Sequence, residues 1–238
     1  MSLAEFDPDL HDRARALADY SIQSWPEGQT AAMARAYLDL LNRRGLPTPL
    51  KCYPSIQLIS GSYFDFLNPE QSEILPEDIA HSLSKVARCG GHTLGDYSYS
   101  VAQHSVLVSK NAPVRFRFEA LMHDAPEYVC GDTTTPLKQL LPDYQIIEDR
   151  VHRAIANKFY LPLHMSPEVK IVDVRMAATE KRDLMPKDAP GEGWEMLQGI
   201  EPYAGKVEVW SAPVARDMFL QAFYDLWPIH ESQHRKAQ

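Results

Sequence analysis

Cysteine is scarce in this chain. The three present, Cys52, Cys89 and Cys130, are odd in number, widely spaced and never in a C-x-x-C pair. That excludes a disulfide framework and a zinc ribbon, and it makes a reducing cytoplasm the expected setting. Long apolar runs are lacking too: none approaches the roughly 20 residues of a membrane-spanning helix. The opening Met-Ser-Leu-Ala-Glu-Phe-Asp has no basic stretch leading into an apolar core, so neither a secretory signal nor membrane association is expected. Positive charge is in deficit, with 24 Lys and Arg against 32 Asp and Glu and a net charge of −8. A nucleic-acid footprint needs clustered cations, so nucleic acid is not an expected partner. A phosphate can still be bound by a few local cations and a metal. There is no internal repeat and no low-complexity tract. What remains, 45% hydrophobic and 24% charged over 238 residues, is the balance of one sizeable globular domain or of one domain with an appendage.

The hydrophobic pattern is helical, punctuated by Pro and Gly. Residues 9–22 and 29–44 form two amphipathic segments. The second places Met33, Tyr37, Leu40 and Leu41 at helical spacing and stops at Gly45, with Pro47 beyond. A Pro-, Ser- and Gly-rich stretch over 46–75 follows, with one strand-like run at 56–59. It divides the chain into an N-terminal helical extension, 1–55, and a main domain, 56–238. Pro76 with Glu77 and Asp78 opens a helix expected to reach Arg88, since a first-position proline and first-turn acids favour a helix start. After Gly90-Gly91 a helix is expected over 98–110, carrying His104, and Pro113 opens another that ends at His123-Asp124. Further helices are expected over 143–159, from Ser166-Pro167-Glu168 to near Pro186, and over 213–226. The Gly/Pro-rich excursion at 186–212 has a strand-like 207–210, which points to a small β-hairpin near 200–210.

His123 and Asp124 are adjacent at the end of an apolar helical run. Neighbours within a helix point about 100° apart, but beyond the last turn both can reach one ion. A second histidine lies upstream at His104 and a second aspartate downstream at Asp173, each in helical sequence. Two imidazoles and two carboxylates make a mixed nitrogen and oxygen site with open positions. Such a site suits one divalent ion of Mn, Co, Fe, Zn or Mg better than a closed structural zinc.

The ordered set resembles the HD-domain metal-dependent phosphohydrolases, closest to the branch of bacterial 5′-deoxynucleotidases and phage nucleotide hydrolases, over residues 56–226. The matching pieces are Asp78-Ile-Ala-His-Ser-Leu-Ser84, Arg88 with Gly91-His92-Thr93, Ser100-Val-Ala-Gln-His104-Ser105, His123-Asp-Ala-Pro-Glu127 through Gly131-Asp132, and Val169-Lys-Ile-Val-Asp173. The resemblance implies an all-α, HD-domain helical bundle with His104, His123, Asp124 and Asp173 as metal ligands. It implies Glu127 and Asp132 as catalytic acids and bases handling the attacking water, and Arg88, a bidentate phosphate clamp by its chemistry, as a substrate contact. His92 and Lys170 are further substrate-binding candidates, and Glu180 falls on the helical face of Asp173. Each has a plainer reading: a solvated helix-end carboxylate for Glu127, a helix-end arginine for Arg88, a solvent-facing turn histidine, a solvated lysine, an ion-paired glutamate. Tyr97 and Tyr99 either line a base pocket or pack. The family pattern has a tryptophan after the arginine, where this chain has Cys89, so the family's sugar selectivity does not carry over.

The activity this implies is hydrolysis of nucleotides, with (deoxy)nucleoside phosphates as the expected substrates, by attack of a metal-activated water on phosphorus. A small phosphate substrate is the implied partner, and a homodimer is compatible with the family and with the apolar helices near the termini. Two alternatives stay open at this point: a diiron oxygenase of the same superfamily, drawing on His152 and His164, and a non-catalytic nucleotide-binding protein.

Overall fold

The structure, a computed structural model, describes residues 54–188 and 194–237. The helices expected over 9–22 and 29–44 lie outside the described residues. The remainder is mostly helical with one small two-stranded sheet. None of the described helices is long and apolar enough to cross a membrane.

The sheet is a hairpin of β1 (Ser55–Gln57) and β2 (Tyr63–Asp65). Its turn closes through Leu58 N–H to Ser62 O and Gly61 N–H to Leu58 O, with Gly61 at φ +90°, a conformation that favours glycine. Strand alternation leaves Tyr63 exposed and puts Phe64 fully in the core. The hairpin is thus where the strand-like run at 56–59 was expected, and not near 200–210. There the backbone is bonded by helix side chains and not by a second strand. Val207 N–H donates to Asp183, Trp210 N–H donates to Gln103 Oε1, and Gln103 Nε2 donates to Glu208 O.

α1 (Pro76–Leu83) begins at its proline as expected but stops well short of Arg88. The chain leaves the helix because Val101 N–H donates to Val86 O and Arg88 N–H to Tyr99 O, joining Ala87 and Ser100 in an isolated bridge. α2 (Val101–Asn111) starts at Ser100, whose hydroxyl accepts the Gln103 N–H, an N-cap that satisfies one orphan donor. Most of α2 is buried, and it packs on α3 (Arg117–Met122), α7 (Pro167–Leu184) and α8 (Ala212–Ala237). Between α3 and α7 lie two short helices, α4 (Glu127–Cys130) and α5 (Thr135–Lys138), and the longer α6 (Pro142–Phe159).

α8 runs past the expected stop at 226 and continues through Pro228. Phe223 and Trp227 sit against Phe118 and Phe159 with ring centroids 5.4–5.6 Å apart, and His230 Nε2 donates to the carbonyls of Phe159 and Tyr160. Aromatic pairs of this kind contribute about 0.5–1.5 kcal/mol beyond their burial, which helps offset the helix bond that a proline removes. Leu83, Leu121, Ile155 and Phe219 are fully buried in the main core. Truncating any one to alanine costs about 2–5 kcal/mol.

Candidate metal centre

His104 is held rigidly on the buried helix α2 and has no exposed surface. α3 ends at Met122, and His123 caps it, so His123 and Asp124 stand at the start of a tight turn closed by Ala125 N–H to Met122 O. Pro126 breaks the helical path there, as its sequence position suggested, and α4 restarts at Glu127. Asp173 comes from the second turn of α7. The topology therefore carries a histidine on α2, a histidine and an aspartate after α3, and an aspartate on α7 to one point.

The two imidazoles face each other through Nε2, 3.3 Å apart. Each has its other nitrogen engaged: His104 Nδ1 donates to Glu180 Oε1 at 2.5 Å, and His123 Nδ1 donates to Ala120 O at 2.8 Å. Nδ1–H on both rings leaves both Nε2 lone pairs directed at the same space, as in metal-ligating histidines. Asp173 Oδ1 lies 3.3 Å from His104 Nε2 and 3.8 Å from His123 Nε2. His104, His123 and Asp173 offer ligand atoms all within 4.8 Å of one another. Ligands of a tetrahedral ion with bonds of about 2.0–2.1 Å stand about 3.3 Å apart. The donor set and its spacing fit a divalent cation. Asp124 Oδ2 is 3.2 Å from His123 Nε2 and 3.6 Å from His104 Nε2, but it also accepts from Arg88 Nη1 at 3.2 Å, which places it at the margin of this trio.

Burial lowers the proton affinity of both imidazoles, yet the carboxylates around them prevail. Asp124 and Asp173 hold His123 well above its ordinary range, and Glu180 and Asp173 raise His104 against the pull of Arg88. The aspartates move the other way: burial pushes Asp124 and Asp173 up, but the imidazoles carry both well below the usual carboxylate range. A cation at this trio would have to compete with protons for the two imidazoles.

Arg88 lies in a tight turn, Arg88–Gly91, in which Cys89 takes the left-handed φ of +55° and Gly90 follows at +61°. Its Nη atoms reach Asp124, Asp132 at 3.9 Å and Glu180 at 3.8 Å, while its buried Nε has no partner. Glu127 is 6% exposed, and its Oε2 is buried without a hydrogen bond. Burial, then the charges of Asp124 and Asp132, push the Glu127 carboxyl well above its usual range. Asp132 is raised by burial and Asp124 against the pull of Arg88.

Arg88, His92, Asp124, Glu127, Asp132, Lys170 and Asp173 all line one cavity of about 830 Å³, a volume in the range of small-molecule sites. His92 does so from an exposed turn, and Lys170 donates to Asp173 Oδ2 at 2.9 Å. Tyr99 is fully buried and donates to Glu180, whereas Tyr97 is exposed and does not line the cavity. His152 and His164 do not join the metal-ligating group found among the described residues. Sequence reasoning missed several walls of the cavity: Thr133, Thr134 and Thr135, Lys138, Trp194 and Met196. The three threonines form a run directly after Asp132 in the sequence. Trp194 and Met196 had no local signal. A larger cavity of about 1130 Å³ borders Lys181 and Arg182 and contains none of the metal-ligating residues. Of its cations Lys181, Arg182 and Lys187, Lys181 is engaged by Asp188 and Arg182 by Asp183 and the carbonyls of Tyr203 and Gly205.

No family model matches the chain. It is 44% identical over 172 residues to the uncharacterized protein YfdR of Escherichia coli (strain K12), an alignment covering 72% of this chain and 94% of that one. It is also 43% identical over 122 residues to the uncharacterized protein RCAP_rcc00048 of Rhodobacter capsulatus, covering 48% of this chain and 62% of the relative. Neither name states an activity.

Proposed function

The chain belongs to the family of the Escherichia coli protein YfdR, and from that premise we propose that it is an HD-type, metal-dependent phosphohydrolase acting on (deoxy)nucleoside phosphates. The observation that carries this reading is the convergence of two buried Nε2 atoms on Asp173 Oδ1, with both Nδ1 atoms engaged, and Asp173 itself lining the cavity shared by Arg88 and Glu127. A divalent ion held there lowers the pKa of water and neutralises charge on a phosphoryl oxygen.

The chain's own groups supply the rest. Arg88 pairs with the phosphoryl oxygens through its planar fork, exchanging its present carboxylate partners for the substrate. Glu127, raised in pKa and with one oxygen unpartnered, takes the proton from the attacking water as its oxygen bonds to phosphorus. Asp132, beside Arg88, contacts the water or the leaving oxygen, to which a proton passes as the ester bond breaks. Lys170 and His92 supply further cationic or donor contacts at the cavity wall.

The test is a phosphate-release screen over nucleoside mono- and triphosphates with Mn²⁺, Co²⁺ or Mg²⁺, with products identified by mass. The expected result is metal-dependent release from a subset of nucleotides, abolished together with metal content in Asp173→Ala. Full activity in a variant shown by elemental analysis to be metal-free would overturn the proposal.

A further inference from the structure

Glu180 is 3% exposed on α7 and makes contacts that no ligand role explains. Its Oε1 accepts from His104 Nδ1 at 2.5 Å and from the buried hydroxyl of Tyr99 at 2.7 Å. Its Oε2 lies 3.8 Å from Arg88 Nη2. One carboxylate thus touches a candidate metal-ligating imidazole, the arginine of the cavity and the side chain of Tyr99, the residue whose carbonyl accepts the Arg88 N–H. A carboxylate that was merely neutralising Arg88 would not need the Tyr99 hydroxyl to fix its orientation. A carboxylate that was merely packing would be expensive to bury at all.

We infer that Glu180 is a positioning residue that links the cation site to the phosphate clamp, holding His104 in the Nδ1–H tautomer with one oxygen and aiming Arg88 with the other. Tyr99 fixes the carboxylate in the plane that serves both. The inference rests on the proposed metal-dependent reading for its purpose, but its geometry concerns ligand orientation and can be read without turnover. Groups that hold the far nitrogen of a ligating histidine typically change metal affinity by about 10- to 100-fold.

The experiment uses the full chain, with Zn²⁺ as a diamagnetic probe and inorganic phosphate as the anion. Wild type loaded with Zn²⁺ is expected to show a slowly exchanging, downfield imidazole proton from His104 Nδ1. In Glu180→Ala that proton exchanges too fast to see, and Zn²⁺ affinity falls by about 10- to 100-fold. Glu180→Gln keeps a carbonyl acceptor for His104 but loses the charge facing Arg88. It is expected to retain the protected proton while losing affinity for inorganic phosphate in the Zn²⁺-loaded state. A folded Glu180→Ala that keeps both the proton signal and wild-type Zn²⁺ affinity overturns the inference. If Glu180→Ala does not fold, Glu180→Gln decides, and unchanged phosphate affinity in that variant is the overturning result. Absence of phosphate release from nucleotides by the wild type would count against the proposed function and leave these readouts standing.

Discussion

The carboxylate of Glu127 sits at the first residue of α4, where the chain restarts a helix after Pro126, with one oxygen buried and unpartnered. Leaving a buried acceptor unsatisfied costs about 1–3 kcal/mol, and it is the substitution that removes basicity without volume that isolates its role. Glu127→Gln should keep wild-type metal content while lowering turnover by about 10²- to 10⁴-fold. Steady-state kinetics paired with elemental analysis checks this, and unchanged turnover removes Glu127 from the proposed chemistry. At this scale the sequence was informative wherever chemistry is local. His104, His123 and Asp173 were legible as one cluster because their types and order are restrictive, and Asp124, Glu127 and Asp132 as neighbours in one cavity because they follow within one turn and loop. Glu180 was half legible: its helical face was apparent, but its engagement with His104 depends on how α2 meets α7. Trp194 and Met196 enter the cavity from a segment with no periodicity, and nothing in their neighbours announces it.

Three elements, α2, α3 and α7, bring the candidate ligands together, and one contact ties two of them. Glu119 on α3 accepts both the Ser166 N–H at 2.6 Å and the Ser166 hydroxyl at 2.8 Å, at the start of α7. Ser166 stands at the N-cap of α7, where a serine commonly bonds the helix with its own hydroxyl. Instead it makes no side-chain cap bond and is itself held by α3. Glu119→Ala should lower unfolding free energy by about 1.5–3 kcal/mol, the range for hydrogen bonds to a charged group. Ser166→Ala, which keeps the backbone bond, should cost less. Urea denaturation measures both, and the reverse order would refute the account. Helix starts were legible from Pro76 and Pro167 because proline fits the first turn. The early end of α1 and the unpaired 207–210 segment were not. In both, backbone groups are satisfied by partners far along the chain: Tyr99 and Val101 in one case, Gln103 and Asp183 in the other.

For the whole molecule, a cation held where α2, α3 and α7 meet should add to folding stability. A divalent ion at 100 times its dissociation constant adds about 2.7 kcal/mol, or about 5–10 °C of melting temperature at this chain length. The increment should shrink as pH falls. His104 and His123 have raised pKa values in the ion-free fold, so protonation stabilises that form at low pH and is lost as pH rises through the folded pKa. Calorimetry with Mn²⁺ and with chelator across pH 8 to 6 checks this, and a pH-independent increment contradicts it. The lining of the cavity has a consequence for order. Asp124, Glu127, Asp132 and Asp173 face it alongside Arg88, Lys138 and Lys170, and Arg88 and Lys170 are already spent on those acids, Lys138 on Glu148. Under the proposed function the cleft's acids should disfavour a bare polyanion and favour one whose charge has been cancelled in advance. A nucleotide escorted by a divalent ion should therefore enter more readily than a bare one.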